Sequence, residues 1–474
     1  MTTPRPSKRH ADLGANFYDI VEPARFPQHF LRYRNQRWAG RIGLGGLTDK
    51  EWIAHFGRFE PFDGSLPQPL ALRYHGHQFR TYNPEIGDGR GFLFAQFHDL
   101  KDERLLDLGT KGSGKTPWSR GADGRLTLKG GVREVLATEM LEAMGVDTSK
   151  SFSLIETGET LTRPDEPSPT RSSVLVRLSH SHIRIGSFQR LAFFQSKADI
   201  ERLLDYCVAT YMPDTRGATR EITIANFLTR VGANVARTGG QWIAAGFVHG
   251  VLNSDNINIT GESFDYGPWR FLPTFEPDFT AAYFDGTGLY SFGRQAEALA
   301  WNLTRLAECF LGLAPEETLN AAIETFAQAY RQEVTRAILA RFGLRPQGVE
   351  EDSAFVTLLF DFLSESKAPY EQVFFDWRGG RQSEARAAES PIAELYNMSS
   401  FAPVRLGLHD RRPAGRNLVT HPYFSRLKPR TMLIDEMEAI WTPIAERDDW
   451  SAFNEALLDI REMAIAYGNW VGQK

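Results

Sequence analysis

The sequence predicts an α+β protein in which a small β-rich lobe precedes a larger helical lobe. Two short apolar runs around a polar break, Gly91–Phe97 and Leu105–Leu108, have the pattern of a β-hairpin. Beyond Leu191 apolar side chains recur at three- and four-residue intervals, the signature of amphipathic helices. Polar loops between the two regions suit a nucleotide cleft.

With 474 residues, 42% of them hydrophobic, the chain can fill two ordinary domains or one large two-lobed one. Three segments are expected: residues 1–70, an irregular extension rich in Pro, Arg and aromatics and packed on the body; 71–190, the β-rich lobe with Gly-rich loops; and 191–474, the helical lobe with a C-terminal helical extension. Gly131–Met144 places Val132, Val135, Leu136, Met140, Leu141 and Met144 at helical spacing, and Gly145 stops that helix. Strands are expected at Phe152–Glu156 and Ser173–Leu178. Helices are expected at Ala198–Thr210, Glu221–Thr238, Gly293–Leu311, Pro315–Phe342 and Met432–Met463, with Gly246–Tyr290 as loops.

A formal charge of −5, from 54 Lys and Arg against 59 Asp and Glu, rules out nucleic-acid binding driven by bulk charge, so any anion site is local. Cys207 and Cys309 stand far apart without metal-ligand spacing, which argues against a disulfide scaffold or zinc site and fits a reducing compartment. Both are expected as buried small hydrophobes. No apolar run approaches the ~20 residues of a membrane span. The N-terminus lacks the apolar stretch of a signal peptide, so no membrane partner is expected and the cytoplasm is the expected location.

Gly109-Thr-Lys-Gly-Ser-Gly-Lys115-Thr116 matches the Walker phosphate-binding pattern. That motif works by opening a helix at its Gly-Lys-Thr end, whose amides and dipole hold phosphate. Here Pro117, Gly121 and Gly124 follow and leave no helix. A glycine-rich turn beside the cleft is the better reading, and a P-loop nucleotidase the minority one.

A protein-kinase site needs a strand Lys held by a helix carboxylate, a loop ending in a metal-binding Asn, and an Asp-x-Gly. Lys111, at the end of the strand from Leu105, and Glu134, on the first turn of the following helix, supply the first pair. His249-Gly-Val-Leu-Asn-Ser-Asp-Asn256 has the frame of the catalytic loop, and Asp265-Tyr-Gly267 completes the order, which predicts a protein-kinase-like two-lobed fold. Asn256 and Asp265 are hard oxygen ligands suited to Mg²⁺. Where a kinase has its catalytic Asp this frame has Val251, which cannot take a proton; Asp255, beside Asn256, is the candidate base.

These residues stand within a longer set: Gly87-Asp-Gly-Arg90-Gly, Lys111-Gly-Ser-Gly, Thr116-Pro-Trp-Ser-Arg120, Asp123-Gly-Arg125, Arg133-Glu134, Arg177 with Ser181-His-Ile-Arg184, Gly246-Phe-Val-His-Gly, and Phe264-Asp-Tyr-Gly-Pro268. Over roughly residues 70–295 the chain resembles the selenoprotein O family, pseudokinase-like protein adenylyltransferases that bind ATP in a flipped orientation. The resemblance implies ATP contacts at Gly87, Gly89, Arg90, Lys111, Asp123, Gly124, Glu134, Arg177, Arg184 and Asp265. It also implies Asp255 as proton acceptor, and Asn256 and Asp265 as ligands of Mg²⁺ or Mn²⁺. Some members end in selenocysteine or cysteine; the last cysteine here is Cys309.

Three functions follow from this reading. The first is AMP transfer from ATP to Ser, Thr or Tyr hydroxyls of proteins with release of pyrophosphate. The second is an atypical kinase that moves the γ-phosphoryl group, and the third a catalytically inactive ATP-binding scaffold.

Overall fold

In the computed structural model, which describes residues 3–164 and 166–470, the fold is α+β, built on a nine-stranded antiparallel sheet and a large set of helices. The N-terminal 70 residues are not irregular. They form strands β1 (Pro6–Ser7), β2 (Tyr18–Ile20) and β3 (Phe30–Arg34) and helices α1 (Gln36–Arg41) and α2 (Asp49–Phe56). Strands this short carry little periodicity and exist because the sheet offers them partners: β2 pairs with β4 (Leu70–Leu72), and β3 closes the opposite edge. A capping box between Thr48 and Glu51 starts α2.

A separate small hairpin follows, β5 (Gly76–Gln78) and β6 (Thr81–Asn83). The expected hairpin is present as β7 (Leu93–His98) and β8 (Leu105–Lys111). After β9 (Leu126–Thr127) the chain enters α3 (Leu128–Ala143), whose N-cap Thr127 accepts from the Gly130 amide and whose start therefore precedes the apolar stripe. Then come β10 (Lys150–Leu161) and β11 (Thr170–Ser179), both longer than their Val- and Phe-rich centres.

Residues two apart on a strand share a face. On β10 and β11, Leu154 and Leu175 face α3, where they join Val132, Val135 and Leu136. Ile155, Val174 and Val176 face the other way, onto Trp38, Trp52, Phe56 and Phe59 of the N-terminal segment, and Phe152 joins them because the register shifts at it, between Ser151 and Ser153. Each fully buried aromatic or aliphatic side chain here is worth about 1.5–3 kcal/mol. The N-terminal segment therefore supplies the second face that a sheet with one covering helix lacks. Trp52 fixes its register by donating from Nε1 to Ser153 Oγ at 2.9 Å.

The helical part comprises α4 (Ile185–Phe193), α5 (Lys197–Thr210), α6 (Arg220–Ala245), α7 (Gln295–Glu308), α8 (Glu316–Phe342), α9 (Val349–Ser366), α10 (Tyr370–Asp376), α11 (Glu384–Ala388), α12 (Phe401–Asp410), α13 (Ile434–Arg447) and α14 (Ser451–Tyr467). Between α6 and α7 lie the short pair β12 (Phe247–Val248) and β13 (Arg270–Phe271), two single 3-10 turns at Ser254–Asn256 and Phe292–Arg294, and loops. α6 runs seven residues past its expected end because Gly239 and Gly240 are contact residues and do not break it. A Cβ on Gly240 would come within 2.6 Å of the Glu333 backbone, so the glycines let α6 and α8 approach closely. The single helix expected over Met432–Met463 is two. Asp448, at φ +53°, ends α13, and its carboxylate is held there by Arg32 and Arg171. Among the described residues no helix is long and apolar enough to cross a membrane.

Candidate active site

Strand register brings the first site residues together. β8 and β11 pair with Lys111 opposite Leu175 and Gly109 opposite Arg177, so Lys111 and Arg177 project from the face that α3 covers. Glu134, in the second turn of α3 because that helix begins earlier than expected, meets both. Lys111 Nζ donates to Glu134 Oε2 at 2.5 Å, and Arg177 Nη1 lies 3.3 Å from Oε1. All three side chains are buried, which is tolerable only because each charge is paired.

Asp265 closes this cluster from the opposite side. Lys111 Nζ and Arg177 Nη1 both reach its Oδ1 at 3.1 Å, and Arg184 Nη1 lies 3.8 Å from Oδ2. Its backbone is at φ +65°, a conformation Asp tolerates better than most residues. Asn256 Nδ2 donates to Asp265 Oδ2 at 3.1 Å. His249 ties the two loops, donating from Nε2 to the Phe264 carbonyl at 2.9 Å while its amide donates to Gln295 Oε1. Burial works against the charge of Asp265, but Lys111, Arg177, Arg184 and Arg90 outweigh it and hold the carboxyl well below the usual range.

Asp255 has the opposite environment. Burial pushes its carboxyl up to about 6, with Arg184 opposing and Asp265 adding to the rise. Its Oδ1 is buried without a hydrogen-bond partner, and Arg184 donates to the Asp255 main-chain carbonyl at 3.1 Å. Two carboxylates on neighbouring loops are thus driven apart in acidity, the arrangement expected of a fixed charge beside a proton acceptor.

The Gly87–Arg90 loop forms the roof. Thr116 Oγ1 donates to the Asp88 carbonyl at 2.6 Å, Ser119 Oγ to the Gly89 carbonyl at 2.5 Å, and Trp118 packs so closely on Gly87 that a Cβ there would clash. The Arg90 carbonyl accepts from the Gly112 amide at 2.6 Å, while its exposed guanidinium adds to the field on Asp265. Gly124 braces the glycine-rich turn, its carbonyl accepting from the Gly114 amide at 3.1 Å. Asp123 is directed elsewhere: its carboxylate binds Arg163 and the Arg125 amide, and it does not join the Lys111 cluster. No helix opens after Lys115 until Leu128, so the Walker motif lacks the element it needs. Gly124 sits at φ +70° with the Gly114 carbonyl oxygen 2.2 Å from where a Cβ would be. Gly124→Ala is therefore expected to cost about 1–3 kcal/mol in denaturant unfolding.

Sequence reasoning overlooked several members of the site. Asp88, between the two glycines of the loop, takes Arg184 Nη2 at 3.3 Å and the Leu72 amide at 3.1 Å. Tyr74 lies under the Arg184 guanidinium, 4.3 Å from CZ to ring centroid. Asp88 was within reach, being a charged residue between flanking glycines in the same motif as Arg90; Tyr74 carried no signal, since its role depends on a partner far along the chain.

As metal ligands Asn256 and Asp265 offer oxygen atoms, and Asp255 Oδ1 next to Asn256 is an orphaned buried acceptor, so the chemistry of the set fits Mg²⁺ or Mn²⁺. Among the described residues no three His, Cys, Asp or Glu side chains converge on a metal position. Ligands from outside the chain, phosphate oxygens and water, would have to complete the coordination.

A buried Lys–Glu pair, an Asn-ended loop and an Asp-x-Gly Asp thus meet in one charged cluster beside a glycine-rich loop. The family model described as protein adenylyltransferase SelO matches residues 5–461, and the chain belongs to that family. Relatives named protein nucleotidyltransferase YdiU are similar over nearly the whole chain. The one from Gloeobacter violaceus is 43% identical over 473 residues, covering 95% of this chain and 94% of its own. Those from Trichodesmium erythraeum and Synechocystis are 41% and 42% identical, covering 94% of this chain and 96% and 95% of their own.

Proposed function

We propose that the protein transfers AMP from ATP to Ser, Thr or Tyr hydroxyls of acceptor proteins, releasing pyrophosphate. The cleft is that of a protein-kinase-like, two-lobed fold, with residues 71–190 as the N-terminal lobe, 191–474 as the helical lobe and 1–70 as an extension. The observation that carries the proposal is the placement of charge: a buried Asp255 carboxyl with an unpartnered oxygen next to Asn256 and near Asp265, and a bank of cations, Lys111, Arg177 and Arg184, around Asp265. The names of the relatives, protein nucleotidyltransferase, support the same activity.

In this reading Asp255 accepts the proton of the acceptor hydroxyl as its oxygen bonds to the α-phosphorus. The bond from the α-phosphorus to the bridging oxygen breaks, and pyrophosphate leaves with the bonding pair. The leaving group carries the developing charge, so cations belong on the β- and γ-phosphates. Lys111, Arg177 and Arg184 are fixed for this by Glu134, Asp265 and Asp88, and the guanidinium forks suit phosphate oxygens. Mg²⁺ or Mn²⁺, held by Asn256 and Asp265, would supply further positive charge against those oxygens. Val251, in the position of a kinase's catalytic Asp, cannot assist γ-phosphoryl transfer. The reading requires ATP and acceptor proteins as partners and fits the cytoplasm, where the buried free thiols of Cys207 and Cys309 stay reduced.

Arg90 is the phosphate ligand whose loss leaves the fold untouched, because its side chain is exposed. Arg90→Ala is expected to raise the KM for ATP by about tenfold, the loss of one charge-assisted contact, with no change in melting temperature. The activity itself is tested by product analysis with ATP and Mg²⁺. Pyrophosphate equal in amount to protein-bound AMP is expected; ADP in its place would favour the atypical kinase.

A further inference from the structure

Phe79 and Arg80, the two residues joining β5 to β6, have φ of +48° and +63°. Their neighbours Gln78 and Thr81 face each other across the hairpin, so this is a two-residue loop with both φ positive, a turn that favours Asn-Gly. Bulky residues held in that conformation store strain, which persists where their side chains are put to use.

The hairpin is clamped to the loop that carries Asp255. The His77 amide donates to Ser254 Oγ at 2.7 Å, and the Phe79 amide to Asn253 Oδ1 at 3.0 Å; Tyr290 OH donates to that same oxygen at 2.8 Å. At the hairpin's root a Cβ on Gly76 would lie 2.9 Å from Asp255 Oδ1. The tip is therefore rigidly placed relative to Asp255. Its Phe79 ring lies 5.0 Å from that of Tyr290 and 5.9 Å from that of Phe284, and Phe284 lies 5.1 Å from Tyr283. Phe79, Phe284 and Tyr283 are 36%, 51% and 87% exposed, an aromatic ledge facing water beside the proton acceptor.

We infer that this ledge docks an extended segment of the acceptor protein and takes an aromatic or large aliphatic side chain that flanks the acceptor hydroxyl. This rests on the adenylyl-transfer reading. The ledge is continuous with the loop that holds Asp255, so a segment presenting its hydroxyl there has the ledge within a few residues' reach. It is built from the hairpin and the loop before α7, whereas the phosphate-facing cations come from β8, β11 and the turn before α4, so nucleotide and acceptor occupy separate elements. Aromatic anchors in a small exposed patch are the residues that dominate recognition of apolar side chains.

The test uses an oriented peptide library with a central Ser, Thr or Tyr and each flanking position fixed in turn. Peptides are scored by transfer from α-labelled ATP and, separately, by capture on the immobilised protein. The wild type is expected to select aromatic or large aliphatic residues at one or two flanking positions in both assays. The variant Phe284→Ala with Tyr283→Ala is expected to lose that selection and about tenfold in kcat/KM for peptide, with the KM for ATP unchanged. Phe79→Asn with Arg80→Gly, which suits the turn, is expected to lose it likewise while keeping the wild-type melting temperature. Unaltered selection in both variants, no flanking preference in the wild type, or a raised KM for ATP would overturn the inference. Capture selectivity without label transfer would uphold the docking ledge and count instead against adenylyl transfer.

Discussion

Asp255→Asn is expected to lower AMP transfer by about 10²–10⁴-fold, the usual contribution of a positioned base, while ATP still binds. The substitution keeps size and shape and removes only the ability to take a proton. It disturbs little else: Asp255 Oδ1 has no hydrogen-bond partner, and Arg184 holds the residue through its main-chain carbonyl. The loss should therefore fall on kcat, with calorimetric affinity for ATP within a few-fold of wild type. A variant that retained activity within about tenfold would show that another group accepts the proton.

Glu134→Gln is expected to have the largest effect on stability, about 3–5 kcal/mol, because it removes one of the two carboxylates that neutralise buried Lys111 and Arg177 and leaves positive charge in excess. Glu134 is fully buried, and both of its carboxylate oxygens are engaged, one by Lys111 and the other by Arg177. Asp265 remains as the other partner of both, so the cluster should loosen toward Asp265 without unfolding the chain. With Lys111 and Arg177 no longer held from the sheet side, the KM for ATP should rise as well. Denaturant titration alongside ATP kinetics checks both effects; an unchanged midpoint would mean that the pair is not structurally important.

The parts of this site that were legible in the sequence are those whose geometry is local. The β7–β8 hairpin put Lys111 at a strand end, the helical spacing of α3 put Glu134 near the start of the next helix, and the spacing of His249, Asp255, Asn256 and Asp265 marked out two loops. What was not legible depended on partners distant in the chain. The N-terminal segment gains its strands only by pairing with β4, β7 and β10, and its aromatics look irregular until the outer sheet face is there to cover. Gly239 and Gly240 resemble a helix end unless α8 is known to press against them. Asp123 belongs to a motif of the family yet turns toward Arg163, a residue whose position no local pattern gives.

The central claim is that the α-phosphorus, and not the γ-phosphorus, is the atom attacked. Incubating the protein with ATP labelled at the α-phosphate and, in parallel, at the γ-phosphate, with Mg²⁺ or Mn²⁺, tests it most directly, with Asp265→Ala as control. The expected result is protein-bound α-label with no γ-label, lost in the Asp265→Ala variant. Protein-bound γ-label without α-label would contradict the account.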